Sequence, residues 1–350
     1  MAAAATTMTL SPDNSQTSGR PPSGASPIGV GVTPFQVDAE ATVRLAVAAE
    51  ELGYGRFGVA EGWTHDAIVV LAQIAGATGQ IGLDSAVLSA WSRTPAAIAM
   101  AAAGLQRASG GRFALGLGAS SPPLVEGLHG LTWARPLEKV RSTVESVRAL
   151  LGGDRLPLER PGVRPLRLGV APERPVPILL AALAPASVRL TGELADQWLP
   201  FLWARSRISD GRSLLAEGEA LAEVPVATGV APSVPLAIAE DEAGARQIAA
   251  GWLLAYLTRM GPLYPRLLRD QFGFADEVDA LLAANQDGGM PQLPAAAEAL
   301  AREVTVMATY EEAPAATRAW LEAGADAVGL VLPLGLPEER LREMLQAAAP

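Results

Sequence analysis

The chain has 350 residues, 49% hydrophobic and only 18% charged, with a formal net charge of −10. The acidity excludes a nucleic-acid binder, which needs a basic face, and the large apolar share excludes a disordered or fibrous chain. With no cysteine, disulfides, thiolate nucleophiles and cysteine-based metal sites are excluded together.

Residues 1–26 (MAAAATTMTLSPDNSQTSGRPPSGAS) lack the basic start and apolar core of a secretory signal. They read as a disordered Ser/Pro/Gly-rich tail, with a cytoplasmic location expected. One domain is expected over 27–350. No apolar run approaches the ~18 residues of a membrane span. The nearest, AAIAMAAAGL at 96–105, is broken by Gly104 and flanked by Arg93 and Arg107.

Eight β-rich or continuous apolar runs follow, at 28–35, 56–62, 81–91, 112–118, 176–185, 195–203, 234–240 and 326–333. Runs apolar on both faces suit parallel strands buried between layers. Amphipathic or Ala-rich helices separate them. Asp38 reads as the N-cap of the first and Gly53 as its end, Pro95 opens another, and Thr309 and Glu312 stand at capping-box spacing. The alternation predicts an α/β fold, a (β/α)8 TIM barrel. Two segments exceed the repeat. Residues 152–175, with Pro157, Pro161, Pro165, Pro172 and Pro175, predict an irregular excursion. Residues 241–304 predict a helical insertion after strand 7, which could roof the C-terminal mouth or serve oligomer contacts.

The stretch GGRFALGLGASSPPLVEGLHG (110–130) ends a buried strand on Gly118, Ala119, Ser120 and Ser121, just before a Pro-started helix. Backbone N–H groups, hydroxyls and a helix N-terminus there can hold a phosphate, although small residues also serve strand packing. The stretch is neither a Rossmann fingerprint, its sixth position being Ser121, nor a Walker motif, having no Lys. In AEGWTHDAI (60–68), Glu61, Trp63, His65 and Asp66 cluster after the second strand. His65 can act as a general acid near neutral pH; alternatively, Thr64 or Asp66 caps the next helix and His65 is solvated. A metal site is not expected, because the two histidines, His65 and His129, are far apart and have no carboxylate at ligand spacing. Trp63, Trp91, Trp133, Trp198 and Trp203 fall near strand ends, where aromatics wall a flat ring or fill the core.

Taken together, RTPAAIAMAAAGLQRASGGRFALGLGAS, EGLHG, RPLEKVRSTVESVRALL, PVPILLAALAPASVRLTGELADQWLP and EAGADAVGLVLP resemble the bacterial luciferase-like oxidoreductase superfamily over roughly residues 28–348. The form GASSPPLVEGLHG and the long insertion resemble the branch related to methylenetetrahydromethanopterin reductase. This implies a TIM barrel holding coenzyme F-420 (F420, an 8-hydroxy-5-deazaflavin) at its C-terminal mouth, with hydride passing between cofactor C5 and a small-molecule substrate. The alternatives are an FMN-dependent monooxygenase using molecular oxygen and a non-catalytic barrel paralogue.

The resemblance also implies site residues. Ala86 and Val87 fall where relatives carry a bulge, with a non-prolyl cis peptide in some, against the deazaflavin ring. Gly118, Ala119, Ser120 and Ser121 match the phosphate turn. Ala182 and Ala184 stand where relatives contact the phosphate from the other side, although many have glycine beside the proline. Glu61 falls where deazaflavin enzymes place a carboxylate, with Gly62 where some have histidine, and His65 and Glu61 are the candidate proton carriers. A homodimer paired through barrel helices is the expected assembly.

Overall fold

The computed structural model describes residues 25–33, 35–36, 38–157 and 162–350. The expected tail lies almost wholly outside these, as does Pro161 of the predicted excursion. Strands β1 (Ile28–Val32), β2 (Arg56–Val59), β3 (Gly82–Ser85), β4 (Leu88–Ser89) and β5 (Phe113–Gly118) form the first half of the chain. Strands β6 (Ile178–Ala181), β7 (Gln197–Trp198), β8 (Gly229–Val230), β9 (Ser233–Ala239), β10 (Val306–Thr309) and β11 (Val328–Val331) follow.

All pair in parallel, running β11-β1-β2-β3-β5-β6-β7-β8 through the sheet, with β9 against β11. The segment 229–239 closes the ring. Its lower end, β8, pairs with β7, Ser233 bridges to Phe201, and β9 pairs with β11. The predicted barrel is therefore present. Two strands were not expected, β8 and β10; β10 lies beside the upper half of β9, from Val306 opposite Leu236 to Thr309 opposite Ala239. Four residues, VMAT, are too short a run for periodicity to separate from a helix end.

Helices α1 (Ala39–Glu51), α2 (Ala67–Ala77), α3 (Pro95–Ala108), α4 (Pro122–Gly127) and α5 (Pro136–Leu151) connect the first strands, and α6 (Pro185–Leu194) and α7 (Ile208–Glu219) the next. Between β9 and β10 lie α8 (Glu242–Arg259), α9 (Leu263–Arg266), α10 (Ala275–Ala284) and α11 (Glu298–Val304). Helices α12 (Ala313–Glu322) and α13 (Glu338–Ala347) finish the chain. Local chemistry sets their starts. The Asp38 carboxylate accepts from Ala41 N–H at 2.8 Å, Asp66 from Ile68 N–H at 2.9 Å, and Thr94 from Ala97 N–H at 3.2 Å. Pro95, in the first turn of α3, is pre-set for helical φ. The box expected at Thr309 is only half made: Glu312 accepts from Thr309 N–H at 3.1 Å, but the Thr309 hydroxyl also donates to it.

Burial falls into three clusters. Leu45, Phe57, Leu71, Ile98, Phe113 and Val188 lie in the cluster between the sheet and its outer helices, each worth roughly 1.5–3 kcal/mol when fully buried. Trp252, Leu253, Tyr256, Leu268 and Leu281 hold the α8–α11 assembly together. A small third cluster, Ala114, Leu179, Leu199 and Ala231 with Val87 packed on it, joins residues from separate strands. None of the described helices is long and apolar enough to cross a membrane.

Two ionic groups fasten the helices to the strands. The Arg112 guanidinium of the Gly-Gly-Arg-Phe stretch donates to the carbonyls of Ser109, Ile81 and Thr78 at 2.7, 2.5 and 2.9 Å. It ties the end of α3 to the turn before β3. Glu50, near the end of α1, accepts from Gly79, Gln80 and Ile81 N–H at 3.0, 2.5 and 2.8 Å. Partial burial alone would raise its carboxyl; the three N–H groups outweigh that and hold it below the ordinary glutamate range.

Glu50→Gln is expected to lower unfolding free energy at neutral pH by ~1–2 kcal/mol after allowance for solvent screening. The folded pKa is depressed, so this contribution is complete above the unfolded value of ~4.3 and lost as pH falls through the folded value. Urea unfolding should therefore separate wild type from variant at neutral pH and bring them together in acid.

Candidate active site

Strand β3 stops where its partner continues. Asp84 stands opposite Ala114, and Leu88 opposite Leu117. Between these pairs the β3 side carries one residue more, a bulge that bends it. The Ala86–Val87 peptide in this bulge is cis. Ser85 bridges the gap: its Oγ accepts from Gly116 N–H at 2.9 Å and donates to Gly116 O at 3.0 Å. Only glycine fits opposite, since a Cβ on residue 116 would lie 1.8 Å from the Ser85 carbonyl oxygen. A Cβ on Gly118 would meet Val87 Cγ2 at 2.9 Å. The bulge thus rests on a glycine floor at the C-terminal end of β5.

The turn beyond β5 leaves backbone donors free. Ser120 has φ of +59°, a left-handed conformation uncommon for a side-chain-bearing residue. Neither Ser120 N–H nor Ser121 N–H has a partner among the described residues. Pro122 and Pro123, which open α4, carry no N–H, so the free donors here are those of Ser120 and Ser121. Two indoles pin the turn: Trp91 Nε1 and Trp133 Nε1 each donate to the Ala119 carbonyl at 3.1 Å. These tryptophans brace the backbone by hydrogen bonding, a role their positions in the sequence do not disclose.

Glu61 lies after β2, with its backbone N–H against Val87 O at 3.4 Å. Its carboxylate is fully engaged. Arg93 Nη1 donates to Oε1 at 2.5 Å and Nη2 to Oε2 at 2.8 Å, with Ser92 Oγ and Ala67 N–H each at 3.3 Å. Arg93 Nη2 also reaches Asp66 Oδ2 at 2.6 Å. Hydrogen bonding to Glu61 outweighs burial and holds the Arg93 guanidinium above its ordinary value. The Glu61 carboxylate, a candidate proton carrier in the sequence, is thus held in an ion pair with Arg93. Asp66 caps α2, as the blander alternative has it. His65 is half-buried, and its Nε2 is enclosed with no hydrogen-bond partner.

The remaining candidates separate. Ala182 is buried in the outer core and its carbonyl accepts from Trp198 Nε1 at 2.8 Å. The residue beside Gly118 is Ala181, because successive strand residues face opposite sides. Ala184 is exposed at the start of α6. Trp198 and Trp203 are wholly buried and meet edge-on at 4.8 Å, so they are core, not cofactor walls. Trp63 is 49% exposed and lines a cleft of about 440 Å³ with Ser121, Pro123, Leu124, Gly127, Leu128, Arg259 and Met260. Among the described residues no histidine–carboxylate group could hold a metal.

A parallel barrel with a bulged strand end, a glycine- and serine-rich turn and a cleft, all at its C-terminal mouth, defines a TIM-barrel enzyme. The chain belongs to the luciferase-like monooxygenase family, whose model matches residues 12–327. It is 35% identical over 189 residues to a proposed coenzyme F420-dependent oxidoreductase of Mycobacterium tuberculosis, covering 50% of this chain and 53% of that one. The chain spans about half the length of the curated relatives it matches. Its fold is similar to the coenzyme F420-dependent tetrahydromethanopterin reductase of Methanopyrus kandleri: TM-score 0.72, identity 19%, 92% of this chain and 97% of that one covered. It is also similar to a monooxygenase of Streptomyces bottropensis: TM-score 0.67, identity 20%, coverage 92% and 97%.

Arg93→Gln strands the mostly buried Glu61 carboxylate and is expected to cost ~2–4 kcal/mol. Adding Glu61→Gln should return most of that loss. A thermal-unfolding double-mutant cycle measures the coupling; additive single effects would show that the pair does not hold the loop.

Proposed function

We propose that this protein is an F420-dependent oxidoreductase that moves hydride between cofactor C5 and a small organic substrate. The observation that supports this most is the turn 118–121. Its two unpartnered N–H groups and two hydroxyls, curled at Ser120 and pinned through Ala119, suit a cofactor phosphate. Similarity over half the chain to the mycobacterial oxidoreductase favours F420. Likeness in fold to a monooxygenase makes an FMN-dependent monooxygenase the second reading.

When bound, the deazaflavin supplies or accepts the hydride. The protein's own residues orient it and move a proton. Gly118, Ala119, Ser120 and Ser121 hold the phosphate, and Ala86 and Val87 form the surface against which the ring lies. The Glu61–Arg93 pair fixes the loop after β2, and His65, with its unpartnered Nε2 on that loop, carries the proton.

Ser120→Asp sets a carboxylate against the phosphate and removes a donor, with an expected loss of ~2–4 kcal/mol in cofactor binding and little change in unfolding temperature. Titrating wild type and variant with F420 and with FMN, followed by cofactor absorbance, checks this. Tighter binding of FMN by wild type would overturn the deazaflavin reading. Binding of neither would point to a non-catalytic paralogue.

We further propose a homodimer joined through α2 and α3, where Val69 and Met100 are 58% and 65% exposed. Light scattering at micromolar concentration should return twice the chain mass, and Met100→Glu the chain mass. A monomeric wild type would remove the proposal.

A further inference from the structure

The cleft beside the phosphate turn has an uneven chemistry. Trp63, Pro123, Leu124, Leu128 and Met260 make most of its wall apolar, and Trp63 and Leu128 are about half exposed. Such exposed apolar surface in a concave site is what a ligand's apolar body covers. Trp63 is not a loose surface group. Its ring meets Phe35 edge-on at 4.9 Å, and Phe35 in turn meets Tyr256 at 6.4 Å. The indole is therefore held in place by the roof although half of it faces solvent.

The only charged residue of the lining is Arg259, at the end of α8, and it has no acidic partner among the described residues. A lone guanidinium beside an apolar wall matches one planar carboxylate, which it can bind through two parallel N–H bonds. A phosphorylated sugar fits poorly. Its hydroxyls would find one polar neighbour besides Arg259, namely Ser121, and would strand the rest against Leu124, Leu128 and Met260.

We propose that this cleft binds the substrate, and that the substrate is an apolar, ring-sized compound carrying a single carboxylate, gripped by Arg259 and covered by Trp63. The proposal rests on the oxidoreductase reading for the role of the ligand, but not for its binding.

The test is calorimetric titration of the full chain with three probes: 4-acetylbenzoate, acetophenone and glucose 6-phosphate. Each is run on cofactor-free protein and again after saturation with F420 or FMN. 4-Acetylbenzoate should bind about 10-fold more tightly than acetophenone, and more tightly than glucose 6-phosphate. Arg259→Ala should bring 4-acetylbenzoate to the acetophenone level and leave acetophenone unchanged. Trp63→Ala should weaken both. Equal binding of the two aryl ketones, strongest binding of glucose 6-phosphate, or an Arg259→Ala effect confined to the cofactor would overturn the proposal. Because the probes are also read without cofactor, ketone binding with no F420 binding would sink only the cofactor reading. F420 binding with no 4-acetylbenzoate binding would sink only this one.

Discussion

The contact between Ser85 and Gly116 governs the upper end of this barrel. A regular ladder would carry β3 alongside β5 to its end and leave the mouth lined by evenly spaced side chains. The extra residue between Asp84 and Leu88 breaks that ladder, and the break would strand the backbone groups of Gly116 in the interior. Ser85 Oγ serves both, accepting from the N–H and donating to the carbonyl. An unsatisfied buried group costs ~1–3 kcal/mol, so a serine here makes the bulge tolerable. The absence of a side chain at residue 116 makes it sterically possible. Val87 can then lie over Gly118, and the turn at 119–121 opens directly beside it.

That geometry explains which parts of the sequence were readable. The barrel was legible because buried parallel strands are apolar on both faces, and because Asp38, Asp66, Thr94 and Pro95 mark helix starts by local chemistry alone. The turn was legible as a run of small and hydroxyl residues at a strand end. The bulge was not. No periodicity distinguishes Ser85-Ala86-Val87 from ordinary strand, and its place came only from resemblance to a family. The closing segment was half seen, since 234–240 reads as strand whereas Gly229–Val230 is only two residues, set between Pro225 and Pro232.

What the sequence hides at the site has one cause. Glu61 reads as an unpaired carboxylate because its partner, Arg93, lies 32 residues away and belongs, in the sequence, to a helix start. Only the barrel brings the ends of β2 and β4 together. Ala182 was placed at the turn by counting from the proline of α6. Strand alternation sends it outward and gives Ala181 the inward position beside Gly118. Trp198 and Trp203 sit at strand ends like Trp91, yet they are sealed in the core. Position along a strand says where a side chain is, and the register with its neighbours says what it meets.

The charges at the mouth are then divided in a way the net value hides. On the β2 side, the Glu61 and Asp66 carboxylates share one guanidinium, so that corner is weakly acidic and closed to further anions. On the turn side neither cation has an acidic partner among the described residues. Arg259 lines the cleft, and Lys139, the only lysine in the chain, lies 5.6 Å from the Trp91 ring centroid. Trp91 is one of the two indoles that pin Ala119. A protein of net charge −10 repels anions at long range. Any anion reaching the mouth is therefore held at short range, within about a Debye length of ~8–10 Å, where nearby cations outweigh distant carboxylates. The N–H groups of Ser120 and Ser121, Lys139 over the Trp91 ring and Arg259 in the cleft lining place that local positive field on the turn side of the mouth, opposite the acidic corner after β2.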